Sequence, residues 1–181
     1  DEEVSRGLGD VYKRQLDQPC PVERMSVVYA LGRNPCPSAV EKLVSLLETD
    51  DNAYVRRATA WSLANYDNQI VLKPLINALK NDVAAVRLWS SSSLAEIGNV
   101  SLKNAQLAAE QLLISLKIDN EPGVRSNCIW SLCRLYEKLN NTFQESFVDE
   151  CTKIALFDKE PSVMEEAKTA LDSMGMQGFY N

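Results

Sequence analysis

The chain contains no histidine. That excludes a histidine-based triad, a histidine-ligated metal and an imidazole general base within it. Its five cysteines, Cys20, Cys36, Cys128, Cys133 and Cys151, form no CxxC pair and are odd in number. Their spacing matches no zinc pattern. The first residues hold no apolar signal-peptide core, so the cysteines read as reduced thiols that fill space between helices in a cytoplasmic protein. No apolar run reaches the roughly 18 residues of a membrane span, and no membrane insertion is expected. Basic residues are not in excess: the formal net charge is -6 and the pI about 4.8, which argues against a surface that wraps nucleic acid. Alternating apolar and polar residues, the mark of strands, are missing over any length. So are paired carboxylates, a nucleophile with its base, and a credible phosphate loop. The stretch from Gly7 to Asp10 has two glycines but opens no helix.

What remains is 181 residues, 45% hydrophobic and 24% charged, a composition that argues against disorder and suits one domain or a short repeat array. Residues 4–15, VSRGLGDVYKRQ, resemble a translated sequencing-adapter scar and carry no helical apolar period. Residues 1–15 are therefore read as a non-native or irregular N-terminal segment, with a repeat array from residue 16 to residue 181 and room for further repeats upstream.

The array shows itself in a Val-Arg pair followed, seven residues after the Arg, by Leu. Arg56 precedes Leu63, Arg87 precedes Leu94, and Arg125 precedes Leu132. Met164 replaces the Arg before Leu171, and an earlier copy pairs Arg24 with Leu31, with Glu23 in the Val position. The copies are 32, 31, 38 and 39 residues apart, a period that signals stacked supersecondary units. Each unit reads as two helices. Val40, Leu43, Val44 and Leu47 share one face of a first helix, as do Ile70, Leu72, Leu75, Ile76 and Leu79, then Leu107, Leu112, Leu113 and Leu116, then Phe147, Val148, Cys151, Ile154 and Ala155. On the second helix from Val55, the core face holds Thr59, Ser62, Leu63 and Tyr66, opposite Arg57, Ala60, Trp61 and Ala64, at about 100° per residue. Pro37, Pro122 and Pro161 stand where helices start, a position that tolerates a missing N–H. The expectation is an all-α fold of nine helices in antiparallel pairs.

An Asp stands six residues before the Arg at Asp50 and Asp119, and before Met164 at Asp158, with Gln18 and Asn81 in the other two copies. This pattern resembles HEAT repeats. The resemblance implies a right-handed α-solenoid in which the Asp and Arg side chains bond between neighbouring repeats. Arg56, Arg87 and Arg125 are accordingly read as structural.

Within that class, Arg56-Arg57-Ala58-Thr59-Ala60-Trp61-Ser62-Leu63-Ala64 and the segment from Val86 to Gly98 resemble the HEAT-like repeats of the cyanobacterial phycobilisome lyases of the E and F type. That resemblance implies a phycobiliprotein partner, a second lyase subunit, and a bilin (a linear tetrapyrrole) as transient ligand. In that family the cysteine nucleophile belongs to the target, so the lack of histidine does not exclude the role. The alternative is a HEAT-repeat adaptor that binds proteins and no small ligand.

In HEAT-like stacks the second helices line the concave side. The wheel then puts Met25, Tyr29 and Arg33 in the groove, followed by Arg57, Trp61 and Ala64, by Leu88, Ser92 and Ala95, and by Ser126, Trp130 and Cys133, with Trp89 and Arg134 at its flank. From these, Tyr29, Arg33, Arg57, Trp61, Trp89, Ser92, Trp130 and Arg134 are the candidate ligand- or partner-binding residues. The aromatic residues offer π-faces and the arginines offer partners for carboxylates. The same residues could instead be packing between helices. In the serine run, Ser90 and Ser93 are expected to face the core and Ser91 and Ser92 to face away, as close-packing residues or as hydroxyls lining a groove.

Overall fold

In the computed structural model, residues 11, 12, 14–176 and 178 are described. From Pro21 to Ser173 nine α-helices follow one another, and the described residues contain no strand. They are α1 (Pro21–Arg33), α2 (Val40–Thr49), α3 (Ala53–Leu63), α4 (Leu72–Asn81), α5 (Ala84–Gly98), α6 (Leu102–Ile118), α7 (Pro122–Leu135), α8 (Asn141–Phe157) and α9 (Pro161–Ser173). Most of the N-terminal segment set apart above, residues 1–10 and 13, lies outside the described residues. Val11, Tyr12, Arg14 and Gln15 are helical, and Leu16 is fully buried.

The chain divides into two compact units, one up to Ile97 and one from Gly98. In the first, α3 packs on α1 and α2, and α2 packs on α4. In the second, α6 packs on α7 and α8 on α9, while α7 meets α9 and α6 meets α8. The hairpins α2–α3, α6–α7 and α8–α9 thus close on themselves, and within each unit first helix stacks on first and second on second. The cores follow: Leu43, Leu63 and Leu75 are fully buried in the first unit, and Leu112, Leu132 and Phe147 in the second. Each such side chain contributes about 1.5–3 kcal/mol.

Local chemistry sets the helix ends. Asn52, Ser101 and Asn140 cap α3, α6 and α8, accepting backbone N–H groups of the first turn. Pro21, Pro122 and Pro161 open α1, α7 and α9, where no N–H is needed. Asp50, Asp82, Asp119 and Asp158 are the C-cap residues of α2, α4, α6 and α8, each in extended conformation.

Those aspartates carry the interhelical ladder. Arg24 reaches Asp50 with Nε and Nη2 at 2.8 and 2.9 Å. Arg56 does the same to Asp82 at 2.8 and 2.7 Å, and Arg125 to Asp158 at 3.1 and 2.7 Å. The remaining Nη1 turns back to a carbonyl at the start of its own hairpin turn: Gln18 for Arg24, Asp50 for Arg56, Asp82 for Arg87 and Asp119 for Arg125. This corrects one position. The turn before α5 is a residue shorter, so Asp82 and not Asn81 supplies the ladder carboxylate. It also explains Gln18, which contributes only its backbone oxygen. Hydrogen bonding to Asp82 holds the Arg56 guanidinium above its ordinary pKa, against the opposing pull of burial. Burial pushes the Asp50 carboxyl up, but bonds from Arg24 and the Asn52 N–H outweigh it and the net shift is downward.

The single-face wheel for second helices needs correction too. Ala60, Ser91 and Ala95, placed on the outer face, are fully buried. A second helix in a stack meets its own first helix and second helices on its sides, so more than one face is covered. Ser93 Oγ donates to the Ala60 carbonyl at 2.8 Å, tying α5 to α3. Among first-helix positions, Ile70 and Leu107 are exposed, and Val71 takes the buried place beside α4.

Candidate functional site

Four of the eight candidate residues come together. Tyr29 of α1, Arg57 and Trp61 of α3, and Trp89 of α5 line one open cavity of about 150 Å³ in the first unit. The repeat spacing of 32 residues sets Tyr29 and Trp61 at equivalent positions of α1 and α3, and Trp89 joins them from one turn earlier on α5. Tyr29 and Trp61 meet at 5.5 Å between ring centroids with planes tilted by 57°, a favourable aromatic geometry. Arg57 Nη2 donates to Tyr29 Oη at 3.3 Å. The guanidinium also lies over the ring of Tyr54, 5.7 Å from its centroid. Its Nε is buried without a hydrogen-bond partner.

Two residues that the sequence reading passed over shape this cluster. Tyr54 sits three residues before Arg57, the spacing that places neighbours on one helix face. Gly32 admits Trp61: a Cβ on Gly32 would lie 2.3 Å from Trp61 Cζ3 and 3.1 Å from the Ser62 Cα. The indole therefore reaches its place only because residue 32 has no side chain.

The other candidates lie apart from this cavity. Arg33 ends α1 and is exposed. Ser92 is half-buried, with its hydroxyl 3.4 Å from the Leu88 carbonyl of its own helix. In the serine run Ser90, Ser91 and Ser93 are all buried, Ser91 donating to the Leu88 carbonyl at 2.7 Å. In the second unit, Trp130 and Arg134 of α7 are exposed and form a pair of their own, the guanidinium 4.9 Å from the ring centroid. Such a pair presents a flat, amphipathic surface.

Two larger hollows, about 520 and 440 Å³, lie elsewhere. The first is lined by Arg125 and Asp158, the second by Arg56 and Asp82. Those charges already satisfy one another, so the hollows offer no free group of the ladder to a ligand. Among the described residues there is no cluster of metal-ligating side chains, and no helix is long and apolar enough to cross a membrane. The thiols of Cys128, Cys133 and Cys151 are pushed up by burial, Cys133 to about 11. None of them is an activated nucleophile.

Comparison with known proteins agrees with this architecture. An engineered protein of known crystal structure is similar over 90% of this chain and 77% of its own, at 19% identity and a TM-score of 0.66. A designed armadillo repeat protein is similar over 93% of this chain and 87% of its own, at 18% identity and a TM-score of 0.61. The complex of CpcE and CpcF of phycocyanin lyase from Nostoc sp. PCC7120 is similar over 92% of this chain and 77% of the matched chain, at 14% identity and a TM-score of 0.52. At these identities the likeness is one of fold. No curated protein sequence shows a significant match. The sequence profile of HEAT repeats matches residues 11–95 and 41–133, more than half of the chain, and the protein belongs to the HEAT-repeat family.

Proposed function

We propose that this chain is a scaffold that binds a protein partner on the exposed faces of its second helices. The observation that carries the reading is the convergence of Tyr29, Trp61 and Trp89 with Arg57 around one open cavity. Tyrosine, tryptophan and arginine dominate the energetics of protein interfaces. A solenoid presenting such a face is an ordinary protein-binding surface.

The finer proposal is that the partner is a phycobiliprotein subunit and that the chain acts as a lyase-type subunit or bilin-handling protein. Its support is the resemblance of the repeats around Trp61 and Trp89 to the phycobilisome lyases, together with the fold shared with CpcE and CpcF. The chemistry is compatible: aromatic faces suit an extended π-system, and arginine suits a propionate. In a lyase of this type the attacking thiol is the target's.

The test is direct. The full chain is co-expressed with a phycocyanin subunit and a bilin source, and the purified material is assayed for the retained subunit and for visible absorbance. Retention that is lost in Trp61→Ala or Trp130→Ala, while circular dichroism stays helical, supports the reading. A retained subunit without absorbance leaves the adaptor role alone. No retention removes the phycobiliprotein proposal.

A further inference from the structure

The cavity in the first unit holds a cation without a counter-ion. The ladder arginines Arg24, Arg56 and Arg125 each grip an aspartate through two nitrogens. Arg57, next in the chain to Arg56, has no carboxylate partner among the described residues. Its five N–H groups find one hydroxyl, at 3.3 Å, and its Nε is buried and unpartnered. Guanidinium is a donor-only group that matches a carboxylate in a planar fork. Buried polar groups left this far short of acceptors are uncommon, and each calls for a reason.

We propose that the cavity bounded by Tyr29, Arg57, Trp61 and Trp89 is a socket for one acidic side chain, a glutamate or aspartate carried by the protein partner. The proposal rests on the protein-binding reading above and names the group that this face recognises. Three observations support it together. The cavity's volume, about 150 Å³, is below the roughly 300–1,000 Å³ of small-molecule sites. It suits a single side chain and not a whole tetrapyrrole. Its walls are aromatic, so the methylene stem of the acid packs on Trp61 and Trp89 while water is excluded, which strengthens the ion pair at its end. Its one charged lining residue is Arg57, and no acidic side chain lines it. Tyr29 Oη accepts from Arg57 and still has its own proton to donate to an incoming carboxylate.

The experiment pans the full chain against a phage-displayed library of random heptapeptides. Selected peptides are then titrated by tryptophan fluorescence against wild type, Arg57→Gln and Arg57→Glu. The expected result is one obligate Asp or Glu in the selected peptides and an affinity loss of at least about 30-fold in Arg57→Gln. Replacing the obligate acid by its amide in the peptide gives a matching loss, which reads the same contact even if Arg57→Gln does not fold. Arg57→Glu should in turn prefer peptides with Lys at that position. Selected peptides without a shared acid, or bound equally by Arg57→Gln, overturn the socket while the scaffold reading stands. If no peptide is selected and no phycocyanin subunit is retained, both fall. Arg57-dependent binding of biliverdin with no acidic peptide consensus overturns the socket in favour of a tetrapyrrole carboxylate.

Discussion

Replacing Arg56 by alanine should cost stability. The Arg56 side chain is 17% exposed and that of its partner Asp82 is 12% exposed, and two nitrogens meet two oxygens at 2.8 and 2.7 Å. A third bond, 2.7 Å long, runs from Nη1 to the Asp50 carbonyl at the end of α2. Fully exposed ion pairs are worth about 0–1 kcal/mol, whereas breaking a buried pair costs about 3–5 kcal/mol because a charge is stranded. A pair this shielded, but not sealed, lies between. Arg56→Ala should therefore cost about 2–3 kcal/mol, or roughly 5–10 °C in Tm for a chain of this size. The sharper quantity is the coupling. A cycle of Arg56→Ala, Asp82→Ala and the double variant, followed by urea unfolding, should give about 1–2 kcal/mol of interaction between the two residues. Arg56→Lys should recover only part of the loss, since an ammonium cannot fork to both carboxylate oxygens and the carbonyl together. A coupling within about 0.3 kcal/mol of zero would refute the argument, because it would mean that the bidentate geometry carries no net energy.

Other outcomes follow from the same packing. Arg57→Met should be neutral or slightly stabilising, by up to about 1 kcal/mol, since it removes a half-buried cation whose buried Nε has no partner and keeps the apolar stem; a loss above about 2 kcal/mol in urea unfolding would speak against that view. Gly32→Ala should destabilise by about 1–3 kcal/mol and shift the tryptophan emission, because its new methyl group overlaps Trp61; unchanged fluorescence and stability would count against the close approach. For pH, Asp50 has a folded pKa below its ordinary value of 3.8, so its contribution is whole above that value and is lost as pH falls through the lower folded one. Acid unfolding followed by circular dichroism should therefore show a shallower limb in Asp50→Asn. Cys20 is exposed and should react first with a thiol reagent near pH 8, while the buried Cys128 and Cys151 should react only on unfolding and the half-buried Cys133, its thiol pushed up to about 11, should react slowly. A thiol count over time checks both halves.

The helices were legible because two independent signals agree on them. The apolar period marks each helix, and the fixed Val-Arg to Leu spacing marks each repeat, so a slip in one would show in the other. The meeting of Tyr29 and Trp61 follows from their equivalent positions in neighbouring repeats, whereas Trp89 stands three residues before the equivalent position, Ser92, and reads in the sequence only as a flanking residue. Where the reading went astray, the missing quantity was a distance between elements. Placing Ser91 and Ala95 outward assumes that a second helix buries one face, yet their burial depends on how closely its flanking neighbours approach. The approach of α3 to α1 depends on Gly32, which looks unremarkable in a helix until Trp61 is placed against it. Choosing Asn81 over Asp82 assumed equal turn lengths, and the turn before α5 is one residue shorter. Helical periodicity carries no information about turn length.

Arg56 and Arg57, neighbours in the chain, stand in different surroundings. Adjacent helical residues diverge by about 100°, so if one points along the hairpin turns toward the next aspartate, its neighbour must emerge on another face. The ladder needs only the first of them: Nε, Nη1 and Nη2 of Arg56 are all engaged, by Asp82 and by the Asp50 carbonyl. Arg57 adds nothing to that ladder, and its place among Tyr29, Tyr54 and Trp61 leaves its charge unbalanced. On the socket proposal, stability and recognition fall to different side chains on one helix turn. A scaffold built this way can exchange the residues of its binding face, such as Arg57 or Trp89, without disturbing the Arg–Asp pairs that align its repeats. The converse does not hold. A change at Arg56 or Asp82 alters how α3 sits against α4, and with it the position of Trp61 in the cavity. Tests of binding should therefore be made at Arg57 and Trp89, and tests of stability at Arg56 and Asp82; Trp61 and Gly32, which belong to the packing and the cavity together, will report on both.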